Sequence, residues 1–250
     1  MISFLLALAA APQVAGPVDS ADNRYKACIA QVRTAPQQAV EKAEAWLRAG
    51  GGIRAGQCLG LAYSAVERWP DAALAFEAAA REANAKQDRR RGDLWVQSGN
   101  SWLAAGEAAK ARIAFDSALA TNLLTDELKG EVYVDRSRAA AALGDKDSAR
   151  TDLDKGLELV PGDPFAWYLS AALARQEGNL PKAQEHIAKA VSLAPDDAAI
   201  LLEAGNIAGA SGEIEAAKGL YARAVRRAPE SEAGRAARAA LAANGEAAPQ

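Results

Sequence analysis

Residues 178–195 read GNLPKAQEHIAKAVSLAP, residues 144–161 read GDKDSARTDLDKGLELVP, and residues 212–229 read GEIEAAKGLYARAVRRAP. The opening glycines Gly144, Gly178 and Gly212 recur every 34 residues, and the closing prolines Pro161, Pro195 and Pro229 keep the same step. In each frame the sixth residue is alanine (Ala149, Ala183, Ala217), the tenth is large (Leu153, Ile187, Tyr221) and the thirteenth is small (Gly156, Ala190, Ala224). Steps of four and then three bring these positions onto one face of a helix. Glycine opens the frame as a turn, and proline closes it because its ring and missing N–H stop the helix. A fixed period of this length predicts a stack of like helical units, none able to bury its face alone.

A second helix precedes each frame. Residues 164–177 place Trp167, Ser170-Ala171 and Ala174 on one side, and residues 198–211 do the same with Leu201, Ala204-Gly205 and Ala208. Residues 93–105 give Trp95, Ser98-Gly99 and Trp102, while residues 55–67 give Leu59-Gly60 and Tyr63. Together these positions resemble the tetratricopeptide repeat, or TPR, which runs W-x2-L-G-x2-Y, then A-x3-F, then P. The resemblance implies an all-α, right-handed α-solenoid of about five helix pairs. The repeats fall at about 53–86, 92–125, 130–163, 164–197 and 198–231, after a degenerate leading pair at 23–52 packed on Ala39, Ala43 and Trp46. A capping helix at 232–244 carries Arg235 and Arg238 on its polar back, and 245–250 reads as a disordered tail.

Repeat three departs from the pattern with Arg136-Ser137 in place of Leu-Gly, and repeats one and two lack the closing proline. Extra residues around 87–91 and 126–129 predict longer helices or looser turns there. The small residues Gly60, Gly99, Ala171 and Gly205 are expected to face Ala72, Ala111, Ala183 and Ala217. Large residues such as Phe76, Phe115 and Tyr221 are then expected to fill space toward neighbouring repeats.

Lys and Arg total 29 against 32 Asp and Glu, so no single-sign field is available to steer nucleic acid or anionic lipid. The run Arg89-Arg90-Arg91 reads as a solvated turn entering a helix. Residues 1–11 begin with a short apolar stretch from Ile2, too short to span a bilayer and of the length of a signal-peptide core. Residues 12–22 read as a flexible lead. The expectation is a bacterial periplasmic or secreted protein whose mature chain does not insert into a membrane. In an oxidising compartment Cys28 and Cys58 form a candidate disulfide.

The residues offer little for catalysis. His186 is the single histidine and is expected at the solvated surface; no zinc site is expected. Gly50-Gly51-Gly52 lacks the Lys-Ser or Lys-Thr of a phosphate loop and reads as the end of the helix carrying Trp46. The carboxylate pairs Asp152/Asp154 and Asp196/Asp197 are expected on helix surfaces and turns. Neither a cofactor nor a metal is expected.

The TPR resemblance further implies that the first helix of each pair lines a concave surface. Repeat positions 2, 5, 6, 9 and 12 place Arg54, Gln57, Asp93, Glu131 and Glu203 there. They also place Gln97, Asn100, Asp135, Arg138, Phe165, Tyr168, Arg175 and Asn206, and these eight are the candidate partner-binding residues. Phe165 and Tyr168 lie off the usual packing positions, which makes them the best pointers to a binding surface. The lysines and asparagines of the family's carboxylate clamp are mostly absent. The expected function is a non-catalytic scaffold for another protein or an extended peptide; the alternative is a structural solenoid that associates with its own copies.

Overall fold

The computed structural model describes residues 20–243 of the 250, and those residues form helices and turns with no strand. The expectations for residues 1–11, for the lead up to residue 19 and for the tail lie outside the described residues. Residues 20–22, expected in the flexible lead, are helical. A leading pair, α1 (Ser20–Thr34) and α2 (Pro36–Arg48), is followed by α3 (Gly52–Ala65) and α4 (Trp69–Ala85), then α5 (Arg91–Ala104) and α6 (Ala108–Leu119). The second half consists of α7 (Asp126–Ala142) and α8 (Lys146–Leu159), α9 (Pro164–Gln176) and α10 (Leu180–Leu193), α11 (Ala198–Ala210) and α12 (Ile214–Arg227), and the closing α13 (Glu232–Ala243). The helix α4, which precedes residues 87–91, and α7, which begins with residues 126–129, reach 17 residues each.

The turn inside each late pair follows from its glycine. Gly144, Gly178 and Gly212 take φ of 78°, 77° and 82°, a region that costs a side chain but not glycine. The following N–H then reaches back five residues: Asp145 to the Ala140 carbonyl, Asn179 to Ala174 and Glu213 to Ala208, each at 2.9 Å. This satisfies carbonyls that the helix end would otherwise leave open. The next helix starts at once, capped in two pairs by the side chains of Asp145 and Asn179, which accept from Ser148 and Lys182 N–H.

Packing inside a pair differs from the alanine-on-alanine expectation. A Cβ added to Gly60 would lie 2.6 Å from the Phe76 ring, and one added to Gly99 would lie 2.5 Å from the Phe115 ring; Gly205 is covered by Tyr221 in the same way. The small position on the first helix therefore receives the large tenth residue of its own partner helix. The reason is volume: a ring needs a missing side chain opposite it, whereas two alanines need only ordinary contact. Ala72, Ala111, Ala183 and Ala217 are buried as well. Buried apolar clusters succeed one another along the chain rather than gathering in one centre, as expected for units stabilised by their neighbours.

Four of the odd-numbered helices approach the next odd-numbered one: α1 approaches α3, α5 approaches α7, α9 approaches α11 and α11 approaches α13. Successive even-numbered helices do not pack together to that extent. The odd-numbered helices are the first helices of the pairs, the side expected to be concave and here termed the inner side.

Two polar positions depart from the sequence expectation. Asp152 is buried, with its carboxylate gripped by Arg136 Nε at 2.8 Å and Nη2 at 2.6 Å. Arg136 Nη1 also reaches Asp116 at 2.6 Å. The Arg-Ser departure in repeat three is thus a side-chain tie among α6, α7 and α8. His186 is buried rather than solvated: its Nδ1 lies 2.8 Å from Ser170 Oγ, and its ring stands edge-on to Trp167 at 5.0 Å.

Candidate partner-binding groove

The inner side of α7 and α9 carries the most distinctive surface. Asp163 caps α9 by accepting the Phe165 N–H at 2.8 Å, and Pro164 supplies the fixed φ suited to a first turn. Phe165 therefore enters the first turn of α9, where it remains 42% exposed. Three residues on, Tyr168 shares its face, and the two rings stack at 5.6 Å with planes 24° apart. Arg138 of α7 lies with its guanidinium 5.7 Å from the Phe165 ring and donates to Asp135 at 2.9 Å. Burial pushes the Asp135 carboxyl up, and Arg138 and a hydrogen bond from Asn100 on α5 pull it back. Asn100, Asp135, Arg138, Phe165 and Tyr168 thus form one strip across three consecutive first helices.

Of the remaining candidates, two belong to a different cluster. Arg175 Nε donates to Glu203 at 2.6 Å, Asn206 Nδ2 donates to the same carboxylate at 3.0 Å, and the Tyr221 hydroxyl donates to Asn206 Oδ1 at 3.1 Å. Glu203 is buried. These contacts tie α9, α11 and α12 together, so Arg175 and Asn206 hold the framework beside the strip. Tyr168 is half-buried and packs on the α9–α11 cluster. Burial pushes its hydroxyl pKa up, with Glu203 and Asp197 adding to the shift and Arg175 opposing it. Gln97 is half-buried with its Oε1 unpartnered among the described residues.

The candidate set missed the acidic flank of the strip. Glu131 has its carboxyl pushed up by burial and then by Glu127, Asp135 and Asp163. Glu127, Glu131 and Asp163 line a cleft of about 460 Å³ together with Val160 and Pro161. The sequence signal was available: Glu127 and Glu131 stand four apart on one helix, an arrangement of like charges that destabilises a helix unless it serves something else.

Cys28 on α1 and Cys58 on α3 are joined, with their Cα atoms 6.2 Å apart. Among the described residues no group of three His, Cys, Asp or Glu side chains is placed to hold a metal ion, and no helix is long and apolar enough to cross a membrane.

The family model of the tetratricopeptide repeat matches residues 166–197, the pair α9–α10 that carries the aromatic stack. Residues 166–197 are a tetratricopeptide repeat. The TPR fold recurs in solved structures that cover most of the chain. PilW, described as a widely conserved type IV pilus biogenesis factor, superposes with a TM-score of 0.71 at 21% identity, covering 87% of this chain and 97% of its own. PilF of Pseudomonas aeruginosa gives 0.67 at 17% identity, covering 86% and 95%. YrrB, described as a TPR protein with an unusual peptide-binding site, gives 0.57 at 17% identity, covering 81% and 97%. No curated protein matches the sequence. At these identities the likeness concerns the fold, an all-α helical-repeat solenoid.

Proposed function

We propose that this TPR solenoid is a non-catalytic scaffold that takes an extended segment of another protein along its inner side, centred on α7 and α9. The observation that carries the reading is the Phe165–Tyr168 stack: two aromatic rings meet each other and a guanidinium at the surface, with Phe165 exposed. Aromatic residues and arginine are the side chains that most often dominate binding energy. An extended chain can lie across parallel helices at little ordering cost to the scaffold, because the helices are already fixed by their stack. We place the protein in an oxidising compartment such as the bacterial periplasm, the setting in which the Cys28–Cys58 bond persists.

A second reading has its own observation. Leu74 on α4 and Ile113 on α6 occupy the same repeat position and are 55% and 65% exposed. On successive outer helices they offer an apolar pair for a second copy of the chain. Light scattering of Arg138→Ala with Phe165→Ala, beside Leu74→Ser with Ile113→Ser, separates the two readings. Under the groove reading wild-type protein is monomeric and both variants scatter as it does. A wild-type dimer that only the Leu74 and Ile113 changes dissolve supports self-association instead.

A further inference from the structure

Resting on the groove reading, a narrower statement about the partner follows from the charges around the strip. On α7 every cation is engaged: Lys129 with Asp126 at 3.0 Å, Arg136 with Asp116 and Asp152, and Arg138 with Asp135. On the elements packed against α7 and α9, the cations nearest the strip are engaged too. Arg150 bonds Ser170 and Glu177, Lys155 lies over the Tyr133 ring, and Arg175 holds Glu203. Glu127 and Glu131 have no ion-pair partner among the described residues, and Asp163 spends one oxygen on the α9 cap. Asp163, which lines the cleft, caps α9 at the Phe165 N–H, and the Phe165 ring already accepts one guanidinium, that of Arg138.

We propose that the segment taken by this groove is basic: an arginine or lysine enters the cleft between Glu127, Glu131 and Asp163 and lays its stem or guanidinium against Phe165. The chemistry repeats what Arg138 does within the chain, a cation paired to a carboxylate and resting on an aromatic face. Charge complementarity selects this occupant. An acidic segment would add like charge to three carboxylates with no counter-ion, and an apolar one would leave them unpaired beneath it. The remaining length of the groove, Tyr168 and Asn100, accommodates the chain on either side of the cation.

The test is selection of a displayed library of random linear peptides on the full chain, followed by fluorescence anisotropy with the enriched peptides. The expected peptides carry Arg or Lys, and Arg138→Ala with Phe165→Ala abolishes their binding. Glu131→Gln with Asp163→Asn weakens them at least about tenfold, the usual scale for losing a desolvated charge pair. Asparagine keeps the helix cap, and circular dichroism of the variant checks that it does. Affinity also falls as salt is raised. Enriched peptides that require Phe165 but are neutral or acidic, or that ignore Glu131→Gln with Asp163→Asn, overturn the basic partner and leave the groove standing. Peptides that bind independently of Phe165, or a selection that enriches nothing, overturn both.

Discussion

His186 shows how one residue can change sides without leaving its helix. Arg150 Nη1 donates to Ser170 Oγ at 2.6 Å, which leaves the Ser170 hydroxyl proton to point at His186 Nδ1, 2.8 Å away. The imidazole is thus read as neutral, with its proton on Nε2. Burial lowers its pKa below 6.5, Lys182 and Arg150 push the same way, and Glu185 and Asp154 oppose them. The unfolded chain therefore takes up this proton before the folded one does. Stability is full above about pH 6.5 and is lost as pH falls through the folded pKa. Urea titrations at pH 7.5 and 5.5 should show wild type losing stability that His186→Gln retains; equal losses in both would mean that the histidine is not the group responsible. His186→Ala should cost about 1–3 kcal/mol at neutral pH, since Ser170 loses a buried acceptor. The frame position alone pointed this residue outward. Its burial depends on Trp167 and Ser170 of the preceding helix, whose distance in space no periodicity states.

At the scale of helices, the turns of the late pairs were legible and the polar tie inside repeat three was not. Gly144, Gly178 and Gly212 mark turns whose geometry needs positive φ, and a spacing is enough to read that. In repeat one the matching turn uses Glu67 at φ 57°, and after α4 another uses Gln87 at φ 54°, so the same bend appears without its marker. In repeat three the usual Leu-Gly is replaced by an ion pair, and Asp152, sixteen residues away, carries no sign in the sequence that it is the partner. Removing one member of a buried pair strands the other, which typically costs about 3 kcal/mol or more. Arg136→Leu, although it restores the usual repeat residue, should therefore destabilise by about that amount. Arg136→Leu with Asp152→Leu should recover most of the loss. The check is a double-mutant cycle by chemical denaturation; additive losses would show that the two side chains act independently.

On the scale of the whole molecule, stability passes from neighbour to neighbour, so the ends matter most. None of the side chains described on α1 is fully buried. The helix is held by the Cys28–Cys58 bond, the Arg54–Asp22 pair at 2.7 Å, and Arg24 over the Trp46 ring at 5.5 Å. A loop of this size is worth about 3–4 kcal/mol in the chain-entropy account. Reduction should accelerate amide exchange in α1 first while α9–α12 keep their protection. Two freely alkylated thiols in denatured, unreduced protein from an oxidising compartment would show that the bond is not made there. The solenoid was readable from the repeat because each pair restates the same pattern. The strip was only half readable: Phe165 and Tyr168 broke the packing pattern and so announced themselves, whereas Arg175 and Asn206, at other positions expected on the same side, turned to internal hydrogen bonds. The most direct measurement of the central claim is site-specific photo-crosslinking in the native cell, with the reactive residue placed at Phe165 or at Ile113. The groove account predicts a defined adduct with another protein from position 165, lost when Arg138→Ala is added, and none from position 113. Adducts from position 113 alone would contradict it and move binding to the outer helices.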